Sequence, residues 1–433
     1  MSEKQLEPIE GDLQNSNHEG NLLTVLNLSL VTFLVLLGLS MVAPILPTYA
    51  ESFQVSYTLV GFVVSSFAVT RMVLDMPAGL LSRRFDKKKI MISGLVLIST
   101  SSVLAGFAPT YGILVIARMI EGAGSAFYVT TATVFLAQIS GEEKRGQWMS
   151  LYMGMLLLGA IFGPTFGGII ADTYDIRAPF FAYAIITGLG VFPTITLPKL
   201  ANSANASSFL KRGEILSDMR EVLSNPSFLL VTFAVFTTFF LRTGVRTTLV
   251  PLFAANNLGL DSAAIGLVLT VGGITTAITI TPMGSISDRI GRKIPLALCL
   301  VLTAVITLMI PFSTDLLTLS IALAIYGAVI GFSGPSAAYV TDVSPQDKLE
   351  ISMGLYRMIS DFGFVVGPLL LGFIADLTAT PVVGESHSGL IGIFPFLIAS
   401  IILIIAFFVL LRADDPARDR RRNAVLKADP KFI

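Results

Sequence analysis

The chain has 433 residues, 53% of them apolar and only 13% charged, with zero formal net charge and a mean hydropathy of +0.78. Soluble proteins carry about 25% charged residues, so two soluble domains with ordinary surfaces are excluded. Apolar runs at 28–42, 90–107 and 390–411 match the ~20 residues that cross a bilayer as a helix. The single cysteine, Cys299, excludes an intrachain disulfide or a thiolate metal cluster. Both histidines, His18 and His387, lie outside the apolar runs, so proton chemistry within the membrane falls to carboxylates.

In chain order, residues 1–22 are polar, lack the basic start of a signal peptide and are expected to form a disordered cytoplasmic tail. Apolar periods and Gly/Pro punctuation predict spans at 23–47, 57–82, 88–108, 111–138, 147–171 and 177–197. A polar linker, 198–226, holds a short amphipathic piece at 210–223. Six more spans are predicted at 227–254, 262–286, 292–312, 316–341, 352–377 and 389–412, followed by a basic tail at 413–433. The fold class is therefore an all-α membrane protein of twelve transmembrane helices in two bundles, 23–197 and 227–412.

Basic residues set the orientation. Loops after even-numbered spans hold Arg83, Arg84, Lys87, Lys88, Lys89, Lys144, Arg145, Arg289, Arg292, Lys293 and Lys348, whereas loops after odd-numbered spans hold only Arg177. Both termini and the linker are expected in the cytoplasm. The carboxyl tail, with Arg418, Arg420, Arg421 and Arg422, is an orientation anchor or a site for anionic lipid.

The halves repeat at an offset of about 204 residues. Gly61, Pro77 and Gly79 meet Gly266, Pro282 and Gly284; Gly159, Gly163, Pro164, Ala171 and Asp172 meet Gly363, Gly367, Pro368, Ala375 and Asp376. Six spans repeated in the same orientation imply a pseudo-twofold axis along the membrane normal. That is the plan of transporters with a midplane site between rocking halves.

After span 8 the chain reads Gly284, three residues, then Asp288-Arg289-Ile290-Gly291-Arg292-Lys293. The first-half copy departs from this, with Gly79 followed by Arg83 where the acid stands and Asp86 where the glycine stands. Span 4 carries Arg118-x-x-Glu121-Gly122-x-Gly124. Span 5 carries Gly159, Gly163, Pro164, Gly167 and Gly168. Together these resemble the signature loop, the span-4 motif and the antiporter motif of the major facilitator superfamily, and most of all its twelve-span drug:proton antiporters. The resemblance covers residues 23–412. It implies alternating access, a small-molecule substrate and proton exchange. Arg83 in place of the acid departs from the family's charge relay on that side.

Ionisable residues within spans are expensive and mark function by default. Spans 2 and 11 share the spelling Arg-x-x-x-Asp: Arg71 with Asp75, and Arg357 with Asp361. Spans 2 and 11 face each other in the family's fold, and both acids fall at roughly 11–14 Å from the cytoplasmic ends. Reciprocal pairing, Asp75 with Arg357 and Asp361 with Arg71, would form a cytoplasmic gate; the alternative is that each pair neutralises itself within its own helix. Arg118 and Glu121 are a proton-coupling site or a permanent structural pair. Arg242 and Arg246 lie toward the outer end of span 7. Arg246 either snorkels to the outer headgroups or joins Arg242, which has no acid in its own span, in binding substrate.

Five span arginines face three acids, and span 1 has no acid. This balance favours neutral amphipaths or organic anions over cations. Phe236, Phe239, Phe240, Phe127, Tyr128 and Tyr326 are candidates for an aromatic cavity, and equally for packing or lipid contact. The leading expectation is proton-coupled export of small hydrophobic or amphipathic compounds. Its rivals are proton-coupled uptake of an organic anion and a non-transporting sensor or scaffold. No enzyme activity, cofactor, metal site or nucleic-acid partner is expected, and the protein is expected to be a monomer in the plasma or inner membrane.

Overall fold

Hydrocarbon offers no partner to a backbone N–H or C=O, so long apolar runs close their own hydrogen bonds as helices. The computed structural model describes residues 7–140, 145–200, 212–381, 389–416 and 418. Among these, eleven helices are long and apolar enough to cross a membrane. They are Leu22–Val42, Tyr57–Ser82, Lys87–Gly106, Tyr111–Ile139, Gly146–Thr173, Ala178–Thr196, Pro226–Asn256, Ser262–Ile290, Lys293–Phe312, Leu316–Val343 and Ile351–Thr378, spans 1 to 11. Phe394–Leu410 is a shorter apolar helix and forms span 12.

Three boundaries differ from expectation for local reasons. Span 1 stops at Val42 because Pro44 biases Ala43 away from helix, and a short helix, Leu46–Glu51, follows with a proline in its first turn. Span 12 starts late because Gly389–Leu390 pairs with Thr380–Pro381 as a two-residue antiparallel ribbon. The amino tail, expected to be disordered, is helical from Glu7 in continuity with span 1 (Glu7–Val42); an existing helix extends far more easily than a new one nucleates. His387, the linker residues 201–211 and most of the basic carboxyl tail lie outside the described residues.

Small residues bring helices together without a hydrophobic driving force. The antiporter motif packs span 5 on span 1. A Cβ on Gly163 would stand 2.4 Å from Ser40 Cβ, and one on Gly167 would stand 1.9 Å from the Met41 carbonyl oxygen. The repeat does the same in the second half, where Gly363 and Gly367 press against the Phe236 and Phe240 carbonyls of span 7. The linker helix Arg212–Ser224 is fastened to the second half by Lys348, just before span 11. Lys348 pairs with Glu221 and, at 3.4 Å, with Asp218. The hydrogen bond to Glu221, with the nearby carboxylate charges, holds the Lys348 ammonium's pKa above the usual lysine value.

Two segments, Ala126–Thr130 in span 4 and Arg242–Leu249 in span 7, widen into π-helix. Such wider turns occur often at functional positions. The second contains both unpaired-looking arginines of the sequence, Arg242 and Arg246.

Candidate functional site

The boundary between the halves is a seam of pairs related by the repeat. At the end of span 5 away from the linker, the outer end on the basic-residue expectation, Asp172 accepts the backbone N–H of Ser262 (3.1 Å) and Ala263 (2.7 Å), the first residues of span 8. At the outer end of span 11, Asp376 accepts those of Tyr57 (2.6 Å) and Thr58 (2.9 Å), which begin span 2, together with the Thr58 hydroxyl. Each carboxylate thus caps a helix of the opposite half, where orphan N–H groups and the positive end of the helix dipole favour it. One turn inward, Gly168 abuts the Ser262 carbonyl as Gly372 abuts that of Tyr57, and Gly266 abuts Pro164 as Gly61 abuts Pro368. Asn256 adds a bridge from span 7 to Glu51 (2.8 Å) and the Tyr57 hydroxyl (3.1 Å).

The span 2–span 11 seam continues through Ser65, whose hydroxyl donates to the Val365 carbonyl at 2.7 Å, to an ion pair of Arg71 with Asp361 at 2.6 Å. Counting along the helices, both residues stand about 15–17 Å from the linker-side ends of spans 2 and 11. The Arg71 guanidinium also lies over the Phe67 and Phe364 rings, 5.8 and 5.7 Å from their centroids. There the seam ends. Asp75 accepts a hydrogen bond from Thr130 of span 4 at 3.0 Å, and Arg357 is exposed with no carboxylate within ion-pair distance among the described residues. Reciprocal pairing is therefore half made: Arg71–Asp361 forms across the helices, Asp75–Arg357 does not. The physical reason is divergence of the helices below the seam. Met76 and Met358 are 69% and 48% exposed, and a Cβ on Gly154, Gly284 or Gly354 would meet nothing within 4 Å. The halves are in contact at the end that carries Asp172 and Asp376 and apart at the end that carries the linker helix.

Arg118 and Glu121 form a buried pair within span 4, Nη1 to Oε2 at 2.5 Å, with 5% and 1% of each residue exposed. Arg118 also covers the Phe67 ring at 5.0 Å, and the Tyr183 hydroxyl lies near the carboxylate. Arg118 Nε and Glu121 Oε1 have no hydrogen-bond partner among the described residues. Phe67 thus stands between Arg118 and Arg71, linking the span-4 pair to the seam.

Arg246 does not snorkel. Span 7 runs to Asn256, which places Arg242 and Arg246 near its middle rather than its outer end. The Arg246 guanidinium turns inward and donates to the Leu269 carbonyl of span 8 at 2.8 Å. Arg242, Arg246, Thr247 and Leu269 of the second half and Ser40, Ala160 and Pro164 of the first line a cavity of about 130 Å³ between the halves.

The two signature loops solve one capping problem differently. In the second half Arg292 pairs with Asp288 (2.6 Å) and Asp342 (3.4 Å). The start of span 9 is capped by Asp415 from beyond span 12, which accepts the N–H of Arg292 and Lys293 at 3.3 and 3.1 Å. Gly291 makes this fit: its φ is 96°, and a Cβ there would lie 2.3 Å from Asp415 Oδ2. In the first half Asp86 occupies the glycine's place and caps its own helix, accepting from Lys88 N–H at 3.0 Å. The side chain of Arg83 is not among those described. Gly79 and Arg289 belong to these loops, and Arg289 is engaged in a contact of its own. Reading the sequence singled out Asp172 and Asp376 only as repeats, and passed over Asp415 and Asn256. The signal of the three acids, a carboxylate facing a helix start, and the reach of Asn256 across the halves become visible only when the partner helix is known.

Two six-span bundles joined by a pseudo-twofold seam, with ionised groups and a cavity at mid-depth, define a membrane transporter. The profile of the Major Facilitator Superfamily matches residues 28–249 and again 231–432, so the chain belongs to that family. It is 24% identical over 379 residues to "Multidrug resistance protein 2" of Bacillus subtilis, covering 86% of this chain and 90% of that one. It is 24% identical over 351 residues to "Quinolone resistance protein NorA" of Staphylococcus aureus, covering 80% and 88%. Among solved structures, it superposes on a bacterial homologue of the human lysosomal transporter Spinster, inward-facing and unoccupied. The TM-score is 0.74 at 15% identity, over 91% of this chain and 97% of that one.

Proposed function

We propose that the protein exports small hydrophobic or amphipathic compounds across the cell membrane, as a monomer with both termini in the cytoplasm, driven by inward proton flow. The observation that carries this reading is the seam. It is built from repeat-related contacts outside, ends at Arg71–Asp361, and leaves Asp75 and Arg357 separated below. In the outward-open state the outer caps on Asp172 and Asp376 break, and Asp75 closes on Arg357 one turn below the Arg71–Asp361 fulcrum. Gly168 and its neighbours set how tightly the outer side seals. Glu121 is the proton site: protonation releases Arg118, and deprotonation restores the pair, so charge in span 4 changes with the access state. The names of the relatives, a multidrug and a quinolone resistance protein, support export. The excess of arginine supports a second reading, uptake of an organic anion.

Proteoliposomes loaded with a fluorescent neutral amphipath and subjected to an imposed pH gradient test the proposal. Efflux that follows the proton gradient and collapses with a protonophore is expected. Flux that is indifferent to the gradient, or substrate accumulating in the direction of proton flow, overturns proton-coupled export.

A further inference from the structure

Resting on the transporter reading, we propose that the cavity beside the π-helical turn of span 7 is an anion site that holds the carboxylate of an amphipathic substrate. The substrate's apolar body lies against the Phe239–Phe364 pair.

Four observations lead there. First, Arg242 and Arg246 border the same cavity, and neither has a carboxylate within ion-pair distance among the described residues. The groups within electrostatic reach of Arg242 are Tyr326 and Arg71, and those of Arg246 are Arg242 and Tyr326. Arg71 is already engaged with Asp361. Two like charges at mid-membrane depth without a counter-ion are a standing penalty that an incoming anion removes.

Second, the donors are left over. Arg246 spends one Nη2 hydrogen on Leu269, but its Nε is buried without a partner. The Tyr326 hydroxyl, on a residue 1% exposed, is equally unsatisfied, although it lies in the field of both arginines. Arg242 is exposed and makes no hydrogen bond among the described residues. Buried donors without acceptors such as Arg246 Nε and the Tyr326 hydroxyl are rare in folded proteins and call for an explanation; a carboxylate, which only accepts, would draw on these and on the exposed Arg242 guanidinium together.

Third, the backbone is arranged for it. The π-helical stretch Arg242–Leu249 widens the turn, and the Thr247 and Thr248 hydroxyls satisfy the displaced carbonyls of Arg242 and Thr243, at 3.0 and 2.9 Å. Those hydroxyls are thereby used, whereas the Arg242 guanidinium and Arg246 Nε are left for a ligand.

Fourth, an apolar wall adjoins the cations. Phe239 lies one turn before Arg242 on the same face and packs edge-on against Phe364 of span 11, with ring centroids 5.0 Å apart. The Phe364 ring also faces Arg71. A volume of about 130 Å³ takes a head group and not a whole drug-sized molecule, so the tail must lie along this wall toward the open cytoplasmic side.

The test uses the purified full chain in a non-ionic detergent, in chloride-free buffer. Its thermal stability is measured against octanoate, octanol and octyltrimethylammonium, which share a tail and differ in the head. Octanoate is expected to raise the melting temperature in a saturable way while the other two do not. Arg242→Gln should weaken octanoate binding by at least about tenfold, Arg242→Lys by less. Should Arg242→Gln fail to purify folded, Tyr326→Phe removes a single hydroxyl and should still weaken octanoate selectively. Equal protection by all three heads, equal protection by chloride alone, or unchanged octanoate affinity in Arg242→Gln overturns the assignment. Binding in detergent needs no gradient. Octanoate binding at Arg242 without proton-driven flux therefore sustains this site while the export reading falls. Gradient-driven export with no head-group preference overturns the site and leaves that reading intact.

Discussion

Asp376 closes the outer face by accepting the Tyr57 N–H at 2.6 Å across the boundary between the halves, and Asp172 repeats the contact 204 residues earlier on Ser262. A carboxylate from the end of one span caps the start of a span in the other bundle. Helix starts that would otherwise rely on their own N-caps, Ser56 and Asp261, are thereby turned into latches. The outer seal thus consists of two equivalent fastenings rather than one.

Removing these fastenings should open the outside. Hydrogen bonds to a charged acceptor contribute roughly 1.5–3 kcal/mol, and both acids are exposed, so screening puts each near the low end. Thr270 of span 8 is buried in the seam, its hydroxyl against Thr165 at 2.8 Å and the Ile161 carbonyl at 3.1 Å; in a Cys299→Ser background, labelling of Thr270→Cys by a membrane-impermeant thiol reagent should rise about tenfold in the Asp172→Ala, Asp376→Ala double variant. Unchanged labelling would show that the carboxylates do not hold the seal.

Crowding at the seam should act in the same direction. A Cβ at Gly168 would lie 2.2 Å from the Ser262 carbonyl oxygen, which belongs to backbone and cannot swing aside. Gly168→Val is therefore expected to favour outward opening and to lower the transport rate, by the same labelling assay and by flux. Gly154→Ala, which meets nothing within 4 Å, should leave both unchanged.

The span-4 pair carries the pH prediction. Glu121→Gln keeps the shape of the side chain and removes its titration. If the Arg118–Glu121 pair is the coupling site, the variant should bind substrate and lose the dependence of flux on the pH gradient. Full proton dependence in Glu121→Gln would assign the pair a structural role.

The second signature loop makes a stability prediction. Gly291→Ala places a side chain at φ 96° and 2.3 Å from Asp415 Oδ2, a strained backbone of about 1–3 kcal/mol before the clash is counted. Asp415→Ala removes the cap of span 9, at about 1 kcal/mol. Thermal unfolding in detergent should rank Gly291→Ala below Asp415→Ala and both below the parent. A Gly291→Ala protein as stable as the parent would show that the turn does not need glycine.

The fold was legible because its cause is local. Long apolar runs must be helices in hydrocarbon, basic residues mark one side, and a repeat of whole motifs gives the pseudo-twofold plan. Arg71–Asp361 could be anticipated because depth along two antiparallel helices is arithmetic. The absence of Asp75–Arg357 could not, since it depends on which side of the membrane is open, and one sequence serves both states. The inward turn of Arg246 is one of the two readings its sequence position allows, and composition cannot choose between them because a π-helical turn leaves no mark there. The role of Asp415 needed the chain to return from beyond span 12 to the start of span 9, a contact across more than 120 residues.

The central claim is that opening outside and closing inside are one motion about the Arg71–Asp361 pair. Spin labels at Met76→Cys and Met358→Cys, in a Cys299→Ser background, read the cytoplasmic mouth directly by pulsed electron resonance. A second pair at Thr173→Cys and Leu260→Cys reads the outer face. On moving from alkaline to acidic buffer, or on adding substrate, the account predicts a shorter cytoplasmic distance together with a longer outer one, in matching proportions of molecules. One fixed distance at both mouths, or changes at the two mouths that occur independently, would contradict it.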